Sequence, residues 1–265
     1  MSPLSRNELS IVLSPKQIGM LRTERKLTLR GYQSCVQTRK VVACEEHVGG
    51  ERPWSSAIST LETALPSIVK RNMEVNIVLA NHFMRYALVP WIDRLSDGEE
   101  MALAKHCFRD AYGTAADSMH VRISPGRPGA AVLASAVDTG LLDELRGLTK
   151  RMRLDLKSIQ PHLMVAYNSC RARLEGRSAW VALIEPDNVC LAALQKGQLA
   201  WIRKMRIGGE WNEELPMLLE REAYLADANV AMDEVFLWAP HLDDIEAARG
   251  WPWKVQHLKP GVQFA

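Results

Sequence analysis

The stretch Ser178–Gly209, SAWVALIEPDNVCLAALQKGQLAWIRKMRIGG, decides the fold. It contains three apolar runs separated by two turn signals, Glu185-Pro186-Asp187-Asn188 and Gln195-Lys196-Gly197-Gln198. Proline presets φ in such a turn, while aspartate, asparagine and glycine tolerate the remaining turn dihedrals. The sequence therefore predicts a meander of three consecutive strands that ends at Gly208-Gly209.

The elements predicted around this meander follow nearly the same order in both halves of the chain. From residue 179 onward the order is strand, strand, strand, helix, strand, helix, strand, and residues 8 to about 110 give nearly the same order, without any visible sequence repeat. Two related βββαβα subdomains that face a nucleotide cleft are typical of actin-like (ribonuclease H-like) domains. The order therefore predicts an actin-like α/β fold of mixed α+β character.

Local signals place the individual elements. Apolar and β-branched runs predict strands, and Ser, Asp, Gly and Pro at their ends predict caps and turns. Outside the meander, the predicted strands are Glu8–Leu13, Ile18–Arg22, Ser34–Cys44, Val75–Ala80, Phe83–Val89, His120–Ser124, Ala131–Val137, Leu154–Ile159, Glu234–Ala239 and Trp253–His257. The predicted helices are Trp54–Arg71, Ser96–Gly113, Asp138–Arg151, Pro161–Gly176, Glu210–Asp227 and Leu242–Ala248.

Three local details are more specific. A serine is expected to cap the helix that opens at Trp54, and Pro66 should end or kink that helix. Ser96 and Glu99 have the spacing of a capping box. Phe83–Val89 follows Val75–Ala80 so closely that a hairpin or a bent strand is expected there.

The run Ala131–Gly209 resembles the PilM family of actin-like type IV pilus assembly proteins and the cytoplasmic domain of the type II secretion protein GspL. The shared features are the strand-helix order, the strand RLDLKSIQ before a helix begun by Pro161, and the meander that closes on Ile207-Gly208-Gly209. The resemblance implies duplicated βββαβα subdomains at residues 1–113 and 161–265, with a small inserted α/β subdomain at residues 114–160.

Nucleotide-binding proteins of this kind carry an Asp-x-Gly type turn in each half, because phosphates need N–H donors and a metal-holding carboxylate. The corresponding turns here are Ser14-Pro15-Lys16-Gln17 and Glu185-Pro186-Asp187-Asn188. Proline in each turn removes an N–H and the flexibility that glycine would provide. We therefore expect two vestigial phosphate turns, in which Lys16, Glu185 and Asp187 are turn residues; contact with a phosphate or metal is the alternative.

A third nucleotide-binding element, a glycine pair that packs against adenine after the late strand, is also replaced. The chain has Trp238, Ala239, Pro240 and His241 at this position, and the indole of Trp238 could fill a nucleotide pocket instead of lining it. These three losses predict no cofactor, no metal and no ATP hydrolysis.

The sequence carries no other recognisable catalytic signature. It lacks the phosphate-loop, dinucleotide-binding, nucleophile-elbow and zinc-protease patterns. Cys44-Glu45-Glu46-His47 groups potential ligands, but a strand end with solvated carboxylates is the favoured interpretation. His82 and His162 are expected to make structural hydrogen bonds, so no catalytic residue is nominated.

Composition limits the class of protein. A chain of 265 residues with 47% hydrophobic and 24% charged residues is ordinary for a soluble globular protein. The net charge of +2 gives no reason to expect nucleic-acid binding. Five cysteines without a C-x-x-C pair, and no apolar leader at the N-terminus, predict a cytoplasmic protein.

The resemblance implies a non-catalytic scaffold that docks other components of a pilus or type II secretion-like assembly at the inner membrane. The expected partners are an inner-membrane protein tail or an assembly ATPase, with membrane association through those partners and a homodimer as an open alternative. A competing function is an ATP-binding actin-like switch with slow or no hydrolysis. A sugar or acyl kinase on the same fold is a third alternative, which no motif supports.

Overall fold

The computed structural model describes residues 5–28, 31–45, 52–70, 73–225, 232–239 and 250–258. Within these ranges the strands are β1 (Ser5–Leu13), β2 (Gln17–Thr28), β3 (Gly31–Ala43), β4 (Glu74–Leu79), β5 (Met84–Val89), β6 (Met119–Ile123), β7 (Val132–Asp138), β8 (Asp155–Pro161), β9 (Ala179–Glu185), β10 (Asn188–Gln195), β11 (Gln198–Met205), β12 (Glu234–Trp238) and β13 (Lys254–His257). The α-helices are α1 (Ser55–Ala64), α2 (Asp97–Tyr112), α3 (Thr139–Arg151), α4 (His162–Leu174) and α5 (Trp211–Leu225), and short 3-10 helices cover Leu65–Ser67 and Gly113–Ser118.

The first sheet has the strand order β3-β2-β1-β4-β8. β1, β2 and β3 form antiparallel neighbours, whereas β4 lies parallel to both β1 and β8. Leu9, Ile11 and Leu13 of β1 are fully buried and alternate with less buried residues, as expected of a strand that faces a core. Helices α1 and α3 pack against each other beside this sheet, with α1 on β2 and α3 on β8.

The second sheet has the strand order β11-β10-β9-β12-β13. Its first three strands form the antiparallel meander, and β12 lies parallel to β9 and β13. Both faces of β9 and β10 are buried, and α5 packs on one of these faces. The guanidinium of Arg173 of α4 lies 5.5 Å from the ring centre of Phe236, in β12 of the same sheet. The core on the α5 side includes Trp180, Leu191, Leu215 and Leu219.

A third sheet of order β5-β7-β6 packs on α2. Its small core includes Val89, Phe108, Val121 and Ala134. Ser96 caps α2 through the predicted capping box: its backbone N–H donates to Glu99 at 2.9 Å, and its hydroxyl accepts from the Glu99 N–H at 3.4 Å.

The described residues divide into two compact units. One contains the residues up to Met84 and those of Val137–His162, and the other contains Arg85–Ala136 and the residues from Leu163 onward. These boundaries differ from the predicted ones at residues 113 and 160, and the three-part division into subdomains stays a prediction.

Most predicted elements are present with small shifts at their ends, but some details are wrong. Trp54, and not a serine, precedes the first residue of α1, and no side chain caps this end of the helix. The α-helix ends at Ala64, two residues before Pro66, as a proline stop requires. Pro161 ends β8 instead of beginning α4. The predicted helix Leu242–Ala248 lies outside the described residues.

The prediction that β5 continues or folds back on β4 is also wrong. β4 is already paired on both sides, with β1 and with β8, so no edge is left for β5. β5 instead joins β7 in the three-stranded sheet. The turn Asn81–Phe83 between the two strands therefore leads from one sheet to another.

Candidate functional site

The first predicted phosphate turn, Ser14–Gln17, connects β1 to β2 in the first unit. The backbone N–H of Ser14 and its hydroxyl both donate to the carbonyl of Gln17, at 3.1 and 2.7 Å, and the N–H of Gln17 donates back to the Ser14 hydroxyl at 3.1 Å. Pro15 has no N–H, and the carbonyl of Lys16 accepts from the N–H of Cys44 at 2.8 Å. Two backbone donors of this turn are thus used within the turn itself.

The second predicted phosphate turn, Glu185–Asn188, connects β9 to β10 in the second unit. Pro186 and Asp187 are its two central residues, and Asp187 has φ +60°, as the third position of a type II turn requires. The carbonyl of Asp187 accepts from the N–H of Ile207 at 3.4 Å, while its side chain is exposed. Asp187 therefore lies where a turn residue is expected.

Glu185 differs from the rest of this turn because it is only 5% exposed. The side-chain amide of Asn188, also buried, donates to the Glu185 carboxylate at 3.4 Å. A carboxylate removed from water needs such partners, since burial of an unpaired charge is costly. The sequence did not indicate this burial.

A group of ionisable side chains lies around Glu185 in the second unit, and we call it the Lys204 cluster: Arg85, Tyr86, Glu185, Cys190 and Lys204. Burial lowers the pKa of Lys204 to about 8, with a further decrease from Arg85, against increases from Cys190 and Glu185. Burial also raises the pKa values of Cys190 and Tyr86, and Glu185 adds to both increases. Burial therefore disfavours the charged forms of the amine, the thiol and the phenol in this cluster.

The sequence alone does not reveal this cluster, because its signal depends on which residues face each other across the strands. Lys204 lies directly opposite Cys190 across the β10–β11 ladder, so both occupy the same side of the sheet. A lysine that shares the side of a buried neighbour breaks the polar-outside alternation of a strand. Only the strand register, which the sequence does not state, makes that break visible.

The third predicted element lies partly within the described residues. Trp238 ends β12 opposite Leu183 of β9 and is 4% exposed, and Ala239 is partly buried. Pro240 and His241 lie outside the described residues.

A concave site elsewhere in the same unit has a cavity volume of about 420 Å³, and we call it the Arg171 pocket. The β6–β7 loop, α4 and the β10–β11 turn form its walls. Its charged lining residues are Arg127, Arg171, Lys196 and Glu175, and its apolar lining includes Met164 and Leu199.

Other candidate chemistry receives no support from the described part of the chain. Within it, no three His, Cys, Asp or Glu side chains are grouped as metal ligands, and no helix is long and apolar enough to cross a membrane. Burial raises the pKa of Cys44, whose thiol lies 3.8 Å from the carbonyl of Ser14. Glu46 and His47, the neighbours that would complete a ligand group, lie outside the described residues.

Comparison with known proteins identifies the fold. No protein-family model and no curated protein sequence matches this chain. Among solved structures, it is similar to a Bacteroides thetaiotaomicron protein with an actin-like ATPase fold and unknown function, at 15% identity, 97% coverage of this chain, 93% of that chain and a TM-score of 0.62.

Two further similar structures come from secretion and pilus machines. One is the cytoplasmic domain of EpsL, an inner-membrane component of the type II secretion system of Vibrio cholerae, at 16% identity, 95% and 89% coverage of this chain and that one, and a TM-score of 0.56. The other is the PilM-PilN type IV pilus biogenesis complex, at 11% identity, 96% and 88% coverage, and a TM-score of 0.65. The predicted actin-like fold is confirmed, and the structural neighbours include the two groups that the sequence resembles.

Proposed function

We propose that this chain is a non-catalytic, cytoplasmic actin-like scaffold that docks other components of a type IV pilus or type II secretion-like assembly at the inner membrane. The similarity to the EpsL cytoplasmic domain and to the PilM-PilN complex supports the docking role. The expected partner is an inner-membrane protein tail or an assembly ATPase.

The observation that carries the non-catalytic part is the buried carboxylate of Glu185 beneath the second turn. A phosphate-binding turn offers backbone N–H donors and positive potential to its ligand. Here Pro186 contributes no N–H, and the Asn188 amide points to Glu185 instead of outward. The Glu185 carboxylate is buried and hydrogen-bonded to Asn188, so it is not presented as a ligand to the metal ion of a nucleotide, and without that ion it would repel a phosphate.

The first turn supports the same conclusion independently. The N–H groups of Ser14 and Gln17 already donate within the turn, and Pro15 has none to offer. We propose that Ser14–Gln17, Glu185–Asn188 and Trp238–Pro240 are vestiges of a nucleotide site, and that this chain needs neither cofactor nor metal.

One observation favours the competing function, an ATP-binding switch with slow or no hydrolysis. Arg85 and Lys204 bring two cationic side chains near the second turn, and cations near a turn are a common means of phosphate binding. In that case Lys204 would contribute to nucleotide affinity.

Thermal unfolding in millimolar Mg-ATP separates the two functions. A ligand that binds the native state must raise its melting temperature, and a concentration of about 100 Kd adds ~2.7 kcal/mol to the free energy of unfolding. We expect no shift for the natural chain and none for Lys204→Met. A shift of several degrees that Lys204→Met abolishes would overturn the scaffold proposal in favour of the switch.

Capture of partners tests the docking part. The tagged chain, bound to the membrane fraction of its native host, should recover an inner-membrane pilus or secretion protein or an assembly ATPase, identified by mass spectrometry. Recovery of metabolic enzymes alone would contradict docking.

A further inference from the structure

We propose that the Arg171 pocket binds an extended acidic peptide of a partner protein, with one of its carboxylates on Arg171 and Lys196 and one of its apolar side chains against Met164 and Leu199. This inference rests on the proposed scaffold function and adds the chemistry and the place of the docking contact.

Hydrogen bonds connect the walls of the pocket to one another. The hydroxyl of Tyr167 on α4 donates to the carbonyl of Gly197 at 3.3 Å, and the hydroxyl of Ser124 in the β6–β7 loop lies 3.9 Å from the sulfur of Met164. Arg127 of the same loop pairs with Glu175 after α4 at 3.1 Å. The pocket is therefore formed before any ligand arrives, which lowers the entropy cost of binding.

The charges of the pocket favour an anion. Three cationic side chains and one carboxylate line it. Neither Arg171 nor Lys196 forms an ion pair with any residue that the structure describes. Burial raises the pKa of Tyr167, and the charges of Arg171 and Arg127 both oppose that increase. The positive potential of the two arginines therefore extends over the tyrosine ring. A guanidinium and an ammonium on one concave surface suit a carboxylate.

The Arg127–Glu175 pair indicates how the ligand would bind. Both side chains are more than half exposed, and such pairs contribute little to stability. A second carboxylate of the acidic peptide can therefore replace Glu175 on Arg127 at little cost in free energy. Glu175 then acts as an internal competitor for the site.

The main chain beside the pocket favours an extended peptide over a small anion. β11 begins at Gln198 within the lining and is the edge strand of its sheet, paired only with β10 among the described strands. An edge strand offers backbone N–H and C=O groups to an added strand. A volume of about 420 Å³ also exceeds what a single carboxylate fills and lies within the range of ligand pockets.

Fluorescence anisotropy on the full chain tests the proposal. The probe is a fluorescein-labelled hexapeptide of alternating glutamate and leucine, compared with its glutamine and lysine counterparts. We expect the glutamate peptide to bind at least about tenfold more tightly than either, with an affinity that falls as NaCl screens the charges. Equal affinity for the glutamate and glutamine peptides would overturn the proposal.

Two opposite variants exclude a non-specific effect. Arg171→Glu should weaken binding about tenfold, whereas Glu175→Gln should strengthen it about threefold by releasing Arg127. Lys105→Glu, which makes the same change of charge as Arg171→Glu at an exposed site of α2, should leave the affinity unchanged. A variant that fails to fold cannot gain affinity, so the Glu175→Gln result does not depend on the stability of Arg171→Glu. Weaker binding by Glu175→Gln, or equal losses in Arg171→Glu and Lys105→Glu, would overturn the assignment.

A competition experiment identifies the chemistry of the ligand. Inorganic phosphate at millimolar concentration should not displace the glutamate peptide beyond the effect of NaCl at equal ionic strength. Full displacement by phosphate would assign the pocket to small anions and overturn the peptide proposal. If the glutamate peptide does not bind and Mg-ATP gives no thermal shift, this inference is overturned but the proposed function is not. A thermal shift in Mg-ATP tests the proposed function and not the peptide site.

Discussion

Lys204 lies directly opposite Cys190 in the β10–β11 ladder, and Glu185 interacts electrostatically with both. The pKa of Lys204 falls from 10.5 to about 8, chiefly because burial disfavours the ammonium form. The second sheet thus holds an amine that is partly neutral just above physiological pH. This property is directly measurable.

The first prediction concerns the titration of that amine. In NMR spectra of the chain with ¹³C-labelled lysine, one Cε resonance should titrate near pH 8 and disappear in Lys204→Met. Lys157 is the internal control, because a hydrogen bond with Asp155 raises its pKa above 10.5. A spectrum in which every lysine titrates above about pH 10 would contradict the burial of Lys204.

The second prediction concerns stability. Because the pKa of Lys204 is lower in the folded state than in the unfolded chain, the unfolded chain binds more protons between about pH 8 and 10.5. Lys204 therefore makes the free energy of unfolding rise with pH across that window, by at most ~1.4 kcal/mol per pH unit, and contributes no slope below it.

Urea unfolding of the natural chain and of Lys204→Met, from about pH 7.5 to 10, measures this effect as a difference. The buried thiols, whose raised pKa values act in the opposite direction, are common to both proteins and cancel. Equal slopes for the two proteins would show that Lys204 is solvated in the folded state.

The third prediction concerns Glu222 of α5, which is 1% exposed. Its carboxylate accepts from Arg203 of β11 at 3.0 Å and from Arg221 at 2.7 Å, while both arginines are about half exposed. Removal of both arginines leaves a buried carboxylate without cationic partners, whereas removal of the carboxylate leaves two arginines that water can solvate. We expect Arg203→Ala with Arg221→Ala to lower the free energy of unfolding by about 2–4 kcal/mol, and Glu222→Met to cost less than ~1.5 kcal/mol.

Chemical denaturation of the natural chain, the double arginine variant and Glu222→Met tests whether loss of the arginines destabilises more than loss of the carboxylate. Arg146→Ala is the control for an exposed arginine. Arg146 forms an ion pair with Asp143 at 3.4 Å on the surface of α3, and its loss should cost less than ~1 kcal/mol. If Glu222→Met is the more destabilising change, the hydrogen bonds of the carboxylate stabilise the fold by more than its burial destabilises it.

The sequence predicts local features of this fold well. The meander of β9, β10 and β11 is predicted by the residues of its two turns. The caps of α2 and α3 are predicted by Ser96 and by Asp138, whose carboxylate accepts from the N–H of Gly140 at 2.7 Å. Each of these depends on residues that are close in sequence. Their physical causes, fixed φ values and unsatisfied helix N–H groups, act within a few residues.

The sequence does not reveal which distant strands pair. β4 lies between β1 and β8, and the three are joined by parallel pairing over long separations. Parallel neighbours that are buried on both faces have similar apolar patterns, so composition does not distinguish one partner from another. The wrong placement of β5 beside β4 arises because the short connection between them favours local pairing, while the long-range pairing of β4 with β1 and β8 is not visible in the sequence.

The candidate sites depend on the same missing information. The buried state of Glu185 requires the side chains of β5, β10 and β11 to come together, and the Arg171 pocket requires α4 to lie beside two separate turns. The turns themselves were visible in the sequence. Their electrostatic surroundings are a product of the tertiary fold.

The last prediction concerns Gly197 in the β10–β11 turn, which lines the Arg171 pocket. Its φ is +78°, and a Cβ added there would lie 2.6 Å from the backbone nitrogen of Gly176 and 3.1 Å from the carbonyl oxygen of Leu174. Backbone atoms cannot move aside as a flexible side chain can. Gly197→Ala should therefore lower the free energy of unfolding by about 2–4 kcal/mol, from the positive φ and the overpacking together.

Gly98→Ala is the matched control for this change. Gly98 lies in the first turn of α2, and a Cβ added there meets nothing within 4 Å. Alanine is the better helix former, so this variant should gain up to ~1 kcal/mol. Urea unfolding of both variants should give changes of opposite sign, and the peptide affinity of Gly197→Ala should fall because the contact between α4 and the β10–β11 turn loosens. If Gly197→Ala leaves the free energy of unfolding unchanged, the β10–β11 turn lies farther from the backbone nitrogen of Gly176 in solution than in this structure.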